Sequence, residues 1–146
     1  MTNSTICIDA SVLLKLVVDE EASDLANDLW ARWVAEGTEI VAPPLIYYET
    51  TSSLRNKVYR GLLPADQAAI ALEEAFNLRV ALVEPMDMHL NAWQLATRFN
   101  RPVTYDATYL AIAEAFDCPL WTADRRLFNA VKEQFPAINL VGESSA

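Results

Sequence analysis

Histidine and cysteine are nearly absent: 1 His and 2 Cys stand in 146 residues, and 11 lysines and arginines face 20 acids. Each shortage excludes a class of chemistry. The lone His89, in MDMHLNAW, provides no Cys/His set for zinc and no partner for a Ser or Cys nucleophile, and it reads as a helix-surface residue. Cys7 lies inside the first hydrophobic stretch and Cys118 just before Pro119, far apart and without CxxC spacing. That pattern excludes a disulfide framework and reads as inert packing. A net charge of −9 argues against a protein that coats nucleic acid by bulk electrostatics. No apolar run approaches a membrane span, and MTNSTICIDA has no basic segment ahead of its hydrophobic residues. The expectation is a cytoplasmic protein away from membranes.

What is present is a globular composition, 53% apolar or aromatic, in a chain long enough to bury a core without disulfides or structural metal. Short strand signals alternate with helical patterns. TICI (residues 5–8) reads as a strand and is followed, after Asp9, by a helix with Val12, Leu13, Leu14, Leu16 and Val17. SDLANDLWARWVAEG repeats Leu25, Leu29 and Trp33 at helical spacing and stops at Gly37. EIVA (39–42) is a strand, and PPLIYYETTSSLRNKVYRG is a helix opened by prolines and ended at Gly61. A second helix runs from Pro64 to about Asn77, and RVALV (79–83) is the next strand. MDMHLNAWQLATRFN forms a helix with Leu90, Trp93 and Ala96–Thr97 near one face, and ATYLAIAEAF forms another after Asp106. PLWTA is a strand, DRRLFNAVKEQF a helix and INLV a last strand, before a polar tail from about residue 142. Without linker, repeat or low-complexity segment, residues 1–146 read as one α/β domain: a parallel sheet flanked by helices on both faces.

Against that frame, certain acids fall in one kind of place. Asp9 ends the first strand, Asp124 ends another and opens the last helix, and Asp106 stands where an extended segment becomes a helix. Glu49 lies one turn into a helix that follows a strand. Singly, Asp106 and Asp124 could be N-caps, Asp9 a cap or turn residue, and Glu49 a half-exposed helix charge. Jointly, they belong to the carboxyl edge of a parallel sheet, where strand-to-helix junctions converge. Carboxylates gathered in a cleft repel one another unless protonated or bound to a cation. All-oxygen ligands suit Mg²⁺ or Mn²⁺, and the chemistry such ions serve is phosphoryl transfer.

On Asp9 with Ser11 in IDASVLLKL, Glu49 in YYETTSSL, Asp106 in TYDATYLAIAEAF and Asp124 with Thr122 in WTADRRL, the chain resembles the PIN-domain family. Within it, the resemblance is to VapC-type toxin ribonucleases of type II toxin–antitoxin pairs, over nearly the whole chain. It implies a PIN-like fold, a Mg²⁺- or Mn²⁺-dependent endoribonuclease, a homodimer and inhibition by a small antitoxin protein. By position, Asp9, Glu49, Asp106 and Asp124 become the catalytic and metal-site acids, supported by the hydroxyls of Ser11 and Thr122. The departure is the overall acidity. Asn56 and Arg60 fall near the helix face of Glu49 and become candidate contacts to the RNA backbone, or else belong to a solvated face.

Other readings compete. An aspartyl-nucleophile phosphatase would use Asp9 but usually needs a second Asp two positions on, where Ser11 stands. A receiver-like signalling domain would share an acidic rim, but here a single acid follows the first strand and no suitable Lys is found. A non-catalytic PIN-like scaffold that binds a partner is opposed by the four acids. Trp30, Trp33 and Trp93 are either core residues or a dimer or antitoxin surface. Basic groups at Arg55, Lys57 and Arg60, at Arg98 and Arg101, and at Arg125 and Arg126 lie close in sequence to the acids. No DNA-binding motif is present, so direct DNA binding by this chain alone is not expected.

Overall fold

The computed structural model describes residues 4–142, so the expected polar tail lies outside the described residues beyond its first position. The elements follow as β1 (Thr5–Ile8), α1 (Ala10–Val17), α2 (Ser23–Ala35), β2 (Glu39–Ala42), α3 (Leu45–Tyr59) and α4 (Ala65–Asn77). They continue as β3 (Ala81–Leu82), α5 (Met88–Arg98), α6 (Tyr105–Ala115), β4 (Leu120–Thr122), α7 (Arg125–Val131) and β5 (Ile138–Leu140). All strand pairs are parallel, in the order β3–β2–β1–β4–β5.

That order follows from where the apolar residues lie. β1 is central, and Ile6, Cys7 and Ile8 are all buried, as a strand covered on both faces requires. The chain moves outward from β1 to β2 and β3, then crosses back to β4 and β5 on the other side. With right-handed crossovers, the two directions of travel put α1–α4 on one face and α5–α7 on the other. In agreement, α1 packs on α2, α3 and α4, while α5 packs on α6. α6 runs through seven consecutive buried residues, Ala107–Ala113, and is the helix most enclosed by the fold. Cys7 and Cys118 are both buried free thiols.

Three local expectations are corrected. The strand expected over 79–83 contracts to Ala81–Leu82, both exposed, because it sits at the sheet edge with β2 as its pairing partner. α2 turns Ala26 and Trp33 inward and leaves Leu25 exposed. α5 buries Met88, Ala92, Leu95 and Ala96, whereas Leu90 and Trp93 are 55% and 67% exposed. Here small residues, which let helices approach closely, win the inward face over larger ones. Trp33 joins the core, edge-to-face with Trp30 and Trp121 at 6.4 and 5.6 Å between ring centres. His89 is exposed on α5.

Candidate active site

The strand order reverses direction at β1, which makes the crevice between the carboxyl ends of β1 and β4 the topological switch point. Asp9 stands immediately beyond β1 and Asp124 two residues beyond β4. Both are helix caps. Asp9 Oδ1 accepts the backbone N–H of Ser11 and Val12 at 3.1 and 3.3 Å, and Asp124 Oδ1 accepts those of Arg126 and Leu127 at 2.9 and 3.3 Å. Capping and membership of the crevice are therefore not alternatives; the same junction supplies both.

Asp9 is 5% exposed and fully engaged. The Ser11 hydroxyl donates to Oδ1 and the Thr122 hydroxyl to Oδ2, each at 2.5 Å, the short range of a hydroxyl on a carboxylate. Both hydroxyls are held in turn by backbone beyond β4: Ala123 N–H donates to Ser11 Oγ at 2.8 Å and Asp124 N–H to Thr122 Oγ1 at 3.0 Å. Burial nonetheless dominates and pushes the Asp9 carboxyl up from 3.8 to about 6, against the lowering effect of those hydrogen bonds, with the charge of Asp106 adding to the rise.

The other two acids come from helices. Glu49, half-buried on α3, accepts a 2.5 Å hydrogen bond at Oε1 from the hydroxyl of Tyr109 on α6. Burial raises the Glu49 carboxyl; the Tyr109 bond lowers it and Asp106 raises it further. Burial, with the Glu49 charge beside it, also drives the Tyr109 hydroxyl far upward, so it stays a donor. Asp106 is the second residue of α6 and not its N-cap, which is Thr104. Its Oδ2 pairs with Arg101 at 3.3 Å.

Asp9, Glu49, Asp106 and Asp124 line one cleft of about 210 Å³ together with Ala10, Ser11, Leu14, Ser53 and Tyr109. No basic residue is among them. Tyr109 and Ser53 escape a reading that looks only for charge. Their signal is spacing: Tyr109 follows Asp106 by three residues and Ser53 follows Glu49 by four, the neighbours of a helix face. Asn56 and Arg60 do not line this cleft; they line an adjoining groove with Leu14, Ser52, Ser53, Lys57 and Leu62.

Among the described residues, no three His, Cys, Asp or Glu side chains stand as a ready group for a metal ion. Asp9 has both carboxylate oxygens engaged by protein donors, and Glu49, Asp106 and Asp124 have one each. The donor set itself fits a hard divalent cation, being all oxygen and acidic, with one member pushed toward protonation by burial. The Arg101–Asp106 pair is partly exposed, and such pairs contribute about 0–1 kcal/mol.

A parallel sheet of this order with a carboxylate-lined switch-point crevice is an α/β architecture, and the PIN domain model matches residues 6–134. The chain belongs to the PIN-domain family, in its VapC-type branch. It is 35% identical over 133 residues to Ribonuclease VapC3 of Pyrobaculum aerophilum, covering 90% of this chain and 95% of that protein. It is 32% identical over 123 residues to Ribonuclease VapC9 of Mycobacterium tuberculosis, covering 83% and 94%. The fold also matches the crystal structure of M. tuberculosis VapC20, a sarcin–ricin-loop-cleaving toxin, at a TM-score of 0.65 and 18% identity over 89% of this chain and 95% of that one.

Proposed function

We propose that the chain is a divalent-metal-dependent endoribonuclease and the toxin of a type II toxin–antitoxin pair. The observation that carries the reading is the single cleft lined by four carboxylates with no basic residue among them. Relatives of this identity and coverage that are named ribonucleases support the activity class.

Asp9, Glu49, Asp106 and Asp124 would hold Mg²⁺ or Mn²⁺, which when bound supplies Lewis-acid activation of water and neutralisation of phosphate charge. The chain's own residues do the rest. Ser11 and Thr122 keep the Asp9 carboxylate in one orientation through its two oxygens. Tyr109 holds Glu49 by Oε1, which leaves Oε2 as the atom that would face the ion or the attacking water. A carboxyl raised by burial is a better proton acceptor near neutral pH than an ordinary glutamate.

The partners in this reading are RNA, an antitoxin protein and a second copy of the chain. Exposed Leu90 and Trp93 on α5 support a protein partner on that face. Among the described residues no helix is long and apolar enough to cross a membrane.

The rival is a partner-binding scaffold, favoured by the capping duty of Asp9 and Asp124 and by the absence of a ready metal group among the described residues. Incubation of the purified protein with a mixed RNA pool in Mg²⁺, in Mn²⁺ and in chelator separates the two. The expected result is cleavage with either ion and none in chelator. Asp9→Asn should lower the rate on the order of a hundredfold, the scale of losing one electrostatic stabiliser. Equal cleavage by Asp9→Asn, or cleavage undiminished in chelator, would sink the metal-nuclease reading.

A further inference from the structure

Both ends of the connection between α5 and α6 are fixed, and each carries a charge that faces the other. α5 closes with Asn100 in the left-handed region at φ 53°. The Asn100 N–H donates to Thr97 O at 3.1 Å and the Arg101 N–H to Ala96 O at 2.8 Å, the Schellman pattern, which anchors the backbone of Arg101. Pro102 then keeps Arg101 out of a helical conformation. On the far side, Thr104 O accepts both the N–H and the hydroxyl of Thr108, at 3.0 and 2.9 Å. Those bonds hold the first turn of α6, which carries Asp106.

From these anchors Arg101 Nη2 reaches Asp106 Oδ2 at 3.3 Å. Among the described residues, Arg101 is the one cation in ion-pair contact with any of the four cleft acids. It does not line the cleft, so it grips Asp106 from outside. The contact is single and longer than the about 2.7–2.9 Å of a strong charge-assisted bond. Both side chains are partly exposed, at 29% and 38%, so the pair exchanges at small cost. Asp106, meanwhile, is the acid whose charge both Asp9 and Glu49 feel. The guanidinium stands on the carboxylate that couples the cluster.

A hard divalent cation brought to Asp106 meets two obstacles from Arg101. It has to displace the guanidinium from Oδ2 or share that oxygen, and it is repelled by a like charge close by. Arginine stays protonated at any ordinary pH, so this opposition does not titrate away. An arginine that oriented Asp106 for the ion would have the opposite effect, and its loss would weaken ion binding. The geometry favours competition, because an arginine that orients a carboxylate typically grips both oxygens in its planar fork.

We infer that Arg101 is a built-in competitor for the divalent ion at Asp106 and sets the ion concentration at which the cleft fills. This rests on the metal-nuclease reading of the cleft and adds to it what restrains the ion. Where ion and guanidinium exclude each other, whatever the pair contributes to the metal-free fold is what the ion has to overcome.

Mn²⁺ titrations of the full-length protein, followed by the electron paramagnetic resonance of free Mn²⁺, test it, with Asp106→Asn as the blank for ions held elsewhere. Arg101→Gln should bind Mn²⁺ more tightly by about threefold to fivefold, the scale of a partly exposed ion pair and a gain that misfolding cannot imitate. Arg98→Gln removes the same charge three residues earlier, where the side chain reaches Gln134 O and not a cleft acid, and should bind like wild type. In chelator, Arg101→Gln should melt below wild type. That gap should close in saturating Mn²⁺, since the pair is then broken in both proteins. Equal or weaker Mn²⁺ binding by Arg101→Gln, an equal gain in Arg98→Gln, or a melting gap that persists in saturating Mn²⁺ overturns the competition. If wild type binds Mn²⁺ all the same, the metal reading of the cleft survives that loss. Uptake by neither wild type nor Arg101→Gln above the Asp106→Asn blank overturns both.

Discussion

Burial holds the carboxyl of Asp9 at about 6 against an ordinary 3.8, and that difference links the residue to stability. Between those values the folded protein keeps a proton that the unfolded chain has released, so stability falls as pH rises through the window. The penalty is complete above about pH 6, is absent below about pH 4, and amounts to about 3 kcal/mol at roughly 1.4 kcal/mol per pKa unit. In chelator, the melting temperature should therefore rise as pH falls from about 7 to about 5. Asp9→Asn should melt higher than wild type at neutral pH and lose that rise. Calorimetric melts of both proteins decide it; a lower neutral melting temperature for Asp9→Asn would mean that the cap and hydroxyl contacts outweigh the buried charge. The cap was legible in the sequence, because Asp before an apolar helix run is a local signal. The upward displacement was not, since it comes from the strands that enclose the carboxylate and persists against the hydrogen bond from Thr122, 113 residues away.

At the scale of elements, α3 and α6 come from different crossovers and are joined at the cleft by the Tyr109–Glu49 hydrogen bond. That bond favours the charged form of Glu49, so removing it raises the carboxyl further. Tyr109→Phe keeps the ring in its buried place and deletes the hydroxyl alone. The expected outcome is a folded protein whose cleavage rate drops roughly tenfold, the scale of one hydrogen bond to a charged group. Its pH–rate profile should also have the acid limb displaced to higher pH. A profile that keeps its limb while the rate falls would make Tyr109 a packing residue. Helix order and approximate bounds were readable from apolar spacing and punctuation, such as Pro64 before α4 and Gly61 after α3. The inward face of α5 was misread, because size was taken for burial. On α5 the neighbours Ala92 and Ala96 face inward while Leu90 and Trp93 stay outside, a choice made by packing against α6.

Across the whole molecule, a net charge of −9 and four carboxylates in one cleft make cations general and local stabilisers at once. A divalent ion bound only by the folded state adds stability that grows with its concentration, whereas monovalent salt screens the surface without regard to the cleft. Wild type should therefore gain more in melting temperature from Mg²⁺ or Mn²⁺ than from monovalent salt at matched ionic strength. Asp124→Asn should keep the salt response and lose most of the divalent increment. Equal divalent increments in both proteins would move the ion away from this cleft.

The alternation of strand and helix and the caps at Asp9 and Asp124 were determined by sequence alone, because they depend on interactions within about four residues. Tertiary structure decided which of these groups meet. It brought Tyr109 to Glu49 across 60 positions, moved Asn56 and Arg60 into a groove of their own, and left Asp106 inside its helix instead of at the cap. Those outcomes follow from strand order, and strand order is set by how the whole chain buries β1 at the centre of its sheet.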